Sequence, residues 1–104
     1  VKQGPLTQER RTEVWLRDGG RCLRCGSPGS EVHHRQRRAV GGHGLQNLVL
    51  LCADCHHAQI HGHPERARAE GFIVSAYSDA VDSVPLHTFR GVRYLHSDGS
   101  YSAG

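Results

Sequence analysis

Residues 22–63 concentrate the side chains whose types and spacing could do chemistry. Cys22-Leu-Arg-Cys25 and Cys52-Ala-Asp-Cys55 are two C-x-x-C pairs. Cysteines so spaced in a tight turn put both thiolates on one side, and Gly26 permits the first turn. Two such knuckles make the four-thiolate, tetrahedral set of a structural zinc. A redox dithiol would account for one pair and leave the other unexplained. Around the second knuckle lie His33-His34, Asn47, His56, His57, His61 and His63, in a chain with 9 histidines among 104 residues. Histidine is the commonest metal ligand, and its neutral ring is a general base near neutral pH. Hydrolysis of a phosphodiester needs water deprotonated, phosphate charge offset and the leaving oxygen stabilised. A neutral imidazole does the first, and a divalent ion does the other two.

The elements that must position these residues follow from pattern and punctuation. Thr7 reads as the N-cap of a helix over Gln8–Asp18, stopped by Gly19-Gly20. Val14, Trp15 and Leu16 are its apolar contribution, with Trp15 as the anchor and Arg10, Arg11 and Arg17 facing out. Residues 1–6 read as a loose arm broken at Gly4-Pro5. Glu31–Arg38 reads as the first strand of a hairpin turned at Gly41-Gly42-His43-Gly44. Strand alternation sends His33 and His34 to opposite faces, so a bend or bulge is expected if both serve one site. Residues 47–51 are the apolar approach to the second knuckle, and a helix from Asp54 or Cys55 runs to about His61. On it His57 and His61 share a face at i,i+4, whereas His56 and His61, five apart, diverge on an ideal α-helix. Pro64 opens a further helix that stops at Gly71. Phe72-Ile73-Val74 reads as a buried strand and residues 76–84 as a linker. Leu86–Phe89 and Val92–His96 read as short strands joined around Arg90-Gly91, with Asp98-Gly99 as a turn signal. The expectation is an α+β chain of one domain over residues 1–104. It has an N-terminal helix (7–18), a metal-bearing core (22–63) and a helix and short-strand extension (64–104).

Charge adds a partner. Residues 1–47 carry nine basic against four acidic side chains, and residues 48–104 four against six, so the halves stand at +5 and −2. Twelve of the 13 basic residues are Arg, whose planar fork matches phosphate oxygens in a way Lys cannot. Arg35, Arg37 and Arg38 directly follow the His-His pair and are the candidates for gripping a nucleic-acid backbone. His43 reads as a bystander in a Gly-rich turn, and His87 and His96 as surface residues. No apolar stretch is long enough to span a bilayer, and the cysteine usage suits a reducing, cytoplasmic setting. No long heptad demands a dimer, so the chain is expected to be a monomer or a weak dimer.

The constellation His33-His34 … Asn47 … Cys55-His56 resembles the HNH endonuclease family, in its version with two C-x-x-C knuckles. The run from Asn47 through Leu-Val-Leu-Leu-Cys-x-x-Cys to His56 is the most specific part, and the likeness covers about Cys22 to His61. The lead-in from Thr7 to Cys25 and the tail after Pro64 are similar to small phage-encoded members. The resemblance implies a ββα-metal (His-Me finger) core around a structural zinc on Cys22, Cys25, Cys52 and Cys55. It further implies metal-dependent cleavage of DNA, leaving 5′-phosphate and 3′-hydroxyl ends. His34 would be the general base, and Asn47 would bond across the ββ loop and hold it in orientation. His33 stands where members place an Asp or His metal ligand, and His56 would be the second ligand. Many members carry a further His four residues on, where this chain has Ile60; His61 is one residue late, with His57 and His63 as fallbacks. The catalytic ion would be Mg²⁺, Mn²⁺, Ni²⁺ or Zn²⁺. DNA is the implied partner, with a phage terminase or other DNA-processing protein beside it. A zinc-stapled nucleic-acid-binding module without turnover is the rival reading of the same residues.

Overall fold

The structure is a computed structural model that describes residues 4–77 and 80–103. At its centre, β1 (Glu31–His34) pairs antiparallel with β2 (Leu48–Leu51), from Glu31 opposite Leu51 to His34 opposite Leu48. All four residues of β2 are buried, because both faces of the strand are covered. Leu48 and Leu50 pack with Val14, Leu45, Leu6 and Val32. Val49 and Leu51 join Cys22, Cys55, Ile60, Phe72, Leu86 and Leu95. Alternation along one strand therefore divides the core in two.

α1 (Gln8–Arg17) forms where expected, with the Thr7 side chain accepting from the Arg10 amide at its start. Gly19 and Gly20, at φ 66° and 70°, end it. Its anchor is Val14, which is 0% exposed; Trp15, the expected anchor, is 49% exposed. Arg17 also departs from expectation. It turns inward, donates to the carbonyls of Leu45 and Leu48 and pairs with buried Asp18. Asp18 in turn accepts from the Leu50 amide at 2.9 Å, so the end of α1 is stapled to β2.

β1 ends at His34, short of the expected Arg38, and α2 (Arg38–Gly41) begins within the predicted strand. A 3₁₀ turn over Leu45–Asn47 returns the chain to β2. A π-helix (Cys55–Ile60) follows the second knuckle. α3 (Pro64–Ala69) then opens with Pro64 and ends before Gly71. At Gly71 (φ 83°) a Cβ would stand 2.1 Å from the Pro85 carbonyl oxygen, so only glycine fits. Residues 72–74 form no strand. They run as a buried segment, with the Val74 amide on the Arg35 carbonyl at 2.9 Å. In the linker, residues 78–79 lie outside the described residues, and Val81–Ser83 forms a 3₁₀ turn. β3 (Leu86–Thr88), β4 (Gly91–Leu95) and β5 (Tyr101–Ala103) form a three-stranded antiparallel sheet, the last strand unanticipated. Residues 1–3 of the expected loose arm lie outside the described residues, but Leu6 packs against the core. Among the described residues no helix is long and apolar enough to cross a membrane.

Candidate metal centres and active site

The two knuckles meet. The sulfurs of Cys22, Cys25, Cys52 and Cys55 lie within 4.8 Å of one another, and no disulfide joins them. Tetrahedral bonds of about 2.3 Å put sulfurs about 3.8 Å apart. Cys25 and Cys52 are 3.8 Å apart, so the set fits zinc. The acid–base pattern suits it too. Burial pushes the Cys55 and Cys22 thiols up, while at Cys25 it is outweighed by bonds from Ser27 and neighbouring thiols that bring it to about 6. Metal binding displaces the protons that burial retains. Arg24 approaches Cys55 at 3.9 Å and pairs with Glu70 at 3.2 Å, placing a positive charge beside the cluster.

Ligating nitrogens of His33, His56 and His61 form a second group, within 4.8 Å of one another. One ion among them sits within about an ångström of the roughly 2.1 Å bonding distance to each. The π-helix explains why His61 belongs. Its i→i+5 repeat stacks residues five apart, where an α-helix stacks residues four apart. The His56 and His61 ring centroids are 5.1 Å apart, and His33 is 5.1 Å from one and 5.7 Å from the other. The extra residue between the expected and actual histidine is absorbed by the wider turn.

Each of two candidate ligands is oriented from behind. His33 Nε2 lies 2.7 Å from the Phe72 carbonyl, which can only accept, so Nδ1 is left for a metal. His56 Nδ1 lies 2.7 Å from a Glu31 carboxylate oxygen, which leaves Nε2. That bond, with the nearby His57, holds the Glu31 carboxyl below the usual range. Glu31 carries no motif of its own, but its place on the strand is a signal: it precedes His33 by two and so shares its face. His57 is drawn to the same carboxylate oxygen at 2.8 Å, away from the trio, and His63 lies outside it.

His33, His34 and His61 line one cleft of about 380 Å³. No bulge is needed, because β1 stops at His34 and the cleft runs past the strand end. Burial lowers the His33 ring to about 4, with His56, His61 and His34 adding repulsion. It lowers His34 likewise to about 4, aided by His43, Arg38 and Arg11. Both rings are therefore neutral at neutral pH, the form that binds metal or takes a proton. Asn47 is wholly buried behind them. Its Oδ1 accepts from the Gln36 amide at 2.7 Å, and its Nδ2 donates to the carbonyls of Gln36 and Gly42 at 2.7 and 2.9 Å. The amide thus clamps the loop that leaves His34.

Two assignments change. Arg35 is 2% exposed and does not grip a partner. Its guanidinium donates to the carbonyls of Gly71, Gln46, Val81 and Val84, tying together segments distant in sequence. Arg37 and Arg38 are exposed, and Arg37 lines the cleft with Arg68, a residue of α3 that no local pattern singles out. His43 is no bystander: its Nδ1 lies 2.9 Å from His34 Nε2. His87 is exposed as expected, and His96 bonds Ser102 at 2.8 Å on the surface.

A two-stranded hairpin and a following helix that gather three imidazoles, beside a four-cysteine cluster able to hold zinc, are consistent with a small ββα-metal core. Residues 22–61 match the family model for HNH endonuclease, and the four-cysteine cluster is consistent with that family's two-C-x-x-C version. No curated protein and no solved structure matches the chain.

Proposed function

We propose that this chain is a metal-dependent DNA endonuclease that hydrolyses phosphodiester bonds, with residues 1–104 acting as one domain. What carries the reading is the meeting of His33, His56 and His61 at one point while His34 lines the same cleft as two of them. His34 takes the proton from water as the water oxygen attacks phosphorus. When bound, a divalent ion offsets phosphate charge and stabilises the departing 3′ oxygen. Arg37 and Arg68 meet backbone phosphates at the cleft, with Arg38 beside it. Asn47 holds the loop after His34 in place, so the base does not drift from the metal ligands.

The test is plasmid nicking with Mg²⁺, Mn²⁺, Ni²⁺ or Zn²⁺. Metal-dependent nicking by the parent and its loss in His34→Ala are expected. Tight DNA binding without nicking in any metal would favour a zinc-stapled binding module instead. The likeness to small phage-encoded proteins supports a place beside a DNA-packaging motor. Nicking that rises when a terminase subunit is added is the outcome expected of that role.

A further inference from the structure

One polar chain reaches the proposed base from the far side. His34 Nε2 lies 2.9 Å from His43 Nδ1, and His43 Nε2 lies 2.7 Å from the Gly4 carbonyl oxygen. A carbonyl oxygen only accepts, so His43 Nε2 carries a proton. Arg38 Nη2, which unlike the carbonyl only donates, also stands 3.5 Å from that nitrogen. The shorter contact decides, and Arg38 acts there as a nearby charge. In the neutral ring the one N–H proton is then on Nε2, and Nδ1 is a lone pair. The bond between the rings then has one polarity: His34 Nε2–H donates to His43 Nδ1. It follows that His34 Nδ1 is the nitrogen without a proton.

We propose that His43, tied to Gly4, is the positioning residue for the base: it fixes the His34 ring and makes Nδ1 the atom that receives the proton from water. This rests on the endonuclease reading above and adds to it a residue outside the metal-ligand set. As the water oxygen bonds to phosphorus, its O–H bond breaks and the proton passes to His34 Nδ1. The bond from phosphorus to the departing oxygen breaks, and that oxygen leaves with the electron pair. His34 is then an imidazolium, and its Nε2–H donates more strongly to His43 Nδ1 than the neutral ring did. The contact therefore strengthens as the reaction proceeds, which is the requirement for an effect on rate.

The experiment pairs a spectroscopic measurement with kinetics on the zinc-loaded chain. Nitrogen-15 NMR should show a through-hydrogen-bond coupling between His34 Nε2 and His43 Nδ1, with the proton directly bonded to His34. No coupling, or a proton on His43 Nδ1, overturns the proposal whether or not the chain cuts DNA. In plasmid nicking, His43→Ala should lower kcat by about tenfold to a hundredfold with KM little changed, part of the roughly 10²–10⁴ a positioned base supplies. His43→Asn, whose Oδ1 falls near the Nδ1 position, should restore most of kcat, which a merely structural role would not predict. An unchanged kcat with raised KM would make His43 a DNA contact and overturn the proposal. If His34→Ala is inactive while His43→Ala keeps full activity, the base assignment stands and the positioning role falls.

Discussion

Asn47 offers the sharpest test of how the hairpin is held. Its side chain is 0% exposed and makes three hydrogen bonds of 2.7, 2.7 and 2.9 Å, all to backbone groups. Asn47→Ala strands one buried N–H and two carbonyls, and each unsatisfied group costs about 1–3 kcal/mol. Relaxation of the loop recovers part of that, so a loss of about 3–5 kcal/mol is expected. Small domains have only about 5–15 kcal/mol in total, so the change is large. With a urea slope of about 1–3 kcal/mol/M, the unfolding midpoint of the zinc-loaded protein should fall by at least about 1 M. Asn47→Asp separates hydrogen bonding from volume. It keeps the shape and can still accept from Gln36, but it turns a carboxylate oxygen toward two carbonyls. It should therefore destabilise at least as much as alanine, and both variants should nick poorly. An alanine variant that loses less than about 1 kcal/mol, or a near-neutral aspartate, would refute the clamp.

Glu31→Gln should weaken the catalytic metal about 10- to 100-fold while the cysteine-bound zinc is retained; equal loss of both ions in a titration would count against it. Arg35→Met leaves its four carbonyl partners without a donor and should cost about 3–5 kcal/mol. At conditions where it remains folded, its DNA-binding salt slope should be unchanged, whereas Arg37→Ala and Arg68→Ala should each reduce that slope by about one. Removing zinc with a strong chelator should abolish the fold, seen as loss of helical circular dichroism; retained structure at zero zinc content would contradict the staple. His33 and His34 are depressed to about 4 when folded, against about 6.5 unfolded. The unfolded chain therefore binds more protons between those values. The stability is fully present above about pH 6.5 and is lost as pH falls toward about 4. A urea midpoint that stays flat from about pH 7 to about pH 5, at constant zinc content, would refute this.

Much of this protein is local and therefore readable along the chain. The Thr7 cap, the Gly19-Gly20 stop, the Pro64 opening and the Gly71 stop are decided by the conformational limits of single residues. The two knuckles announce a metal because thiolate spacing is itself the geometry. The His33-His34, Asn47 and His56 spacing likewise carries the family resemblance. What failed did so where neighbours distant in sequence set the outcome. Arg35 and Arg17 look like surface charges until carbonyls from remote segments surround them. Trp15 loses its place as anchor to Val14, because β2 meets α1 on the other side of the helix. Residues 72–74 have strand-like composition but find no strand edge to join.

The histidines divide in the same way. Residue types and order along the chain determined which side chains are candidates for a base, a clamp and a metal set. They left His61 out of register, because a pattern read at α-helical spacing has no place for a ligand five residues on. Only the folded chain, by widening the helix after Cys55 into a π-turn, brings that ring to His33 and His56. It also sets His43 against His34 and Glu31 behind His56. Ring orientation is decided by hydrogen-bond partners, and those become neighbours only once the hairpin has closed.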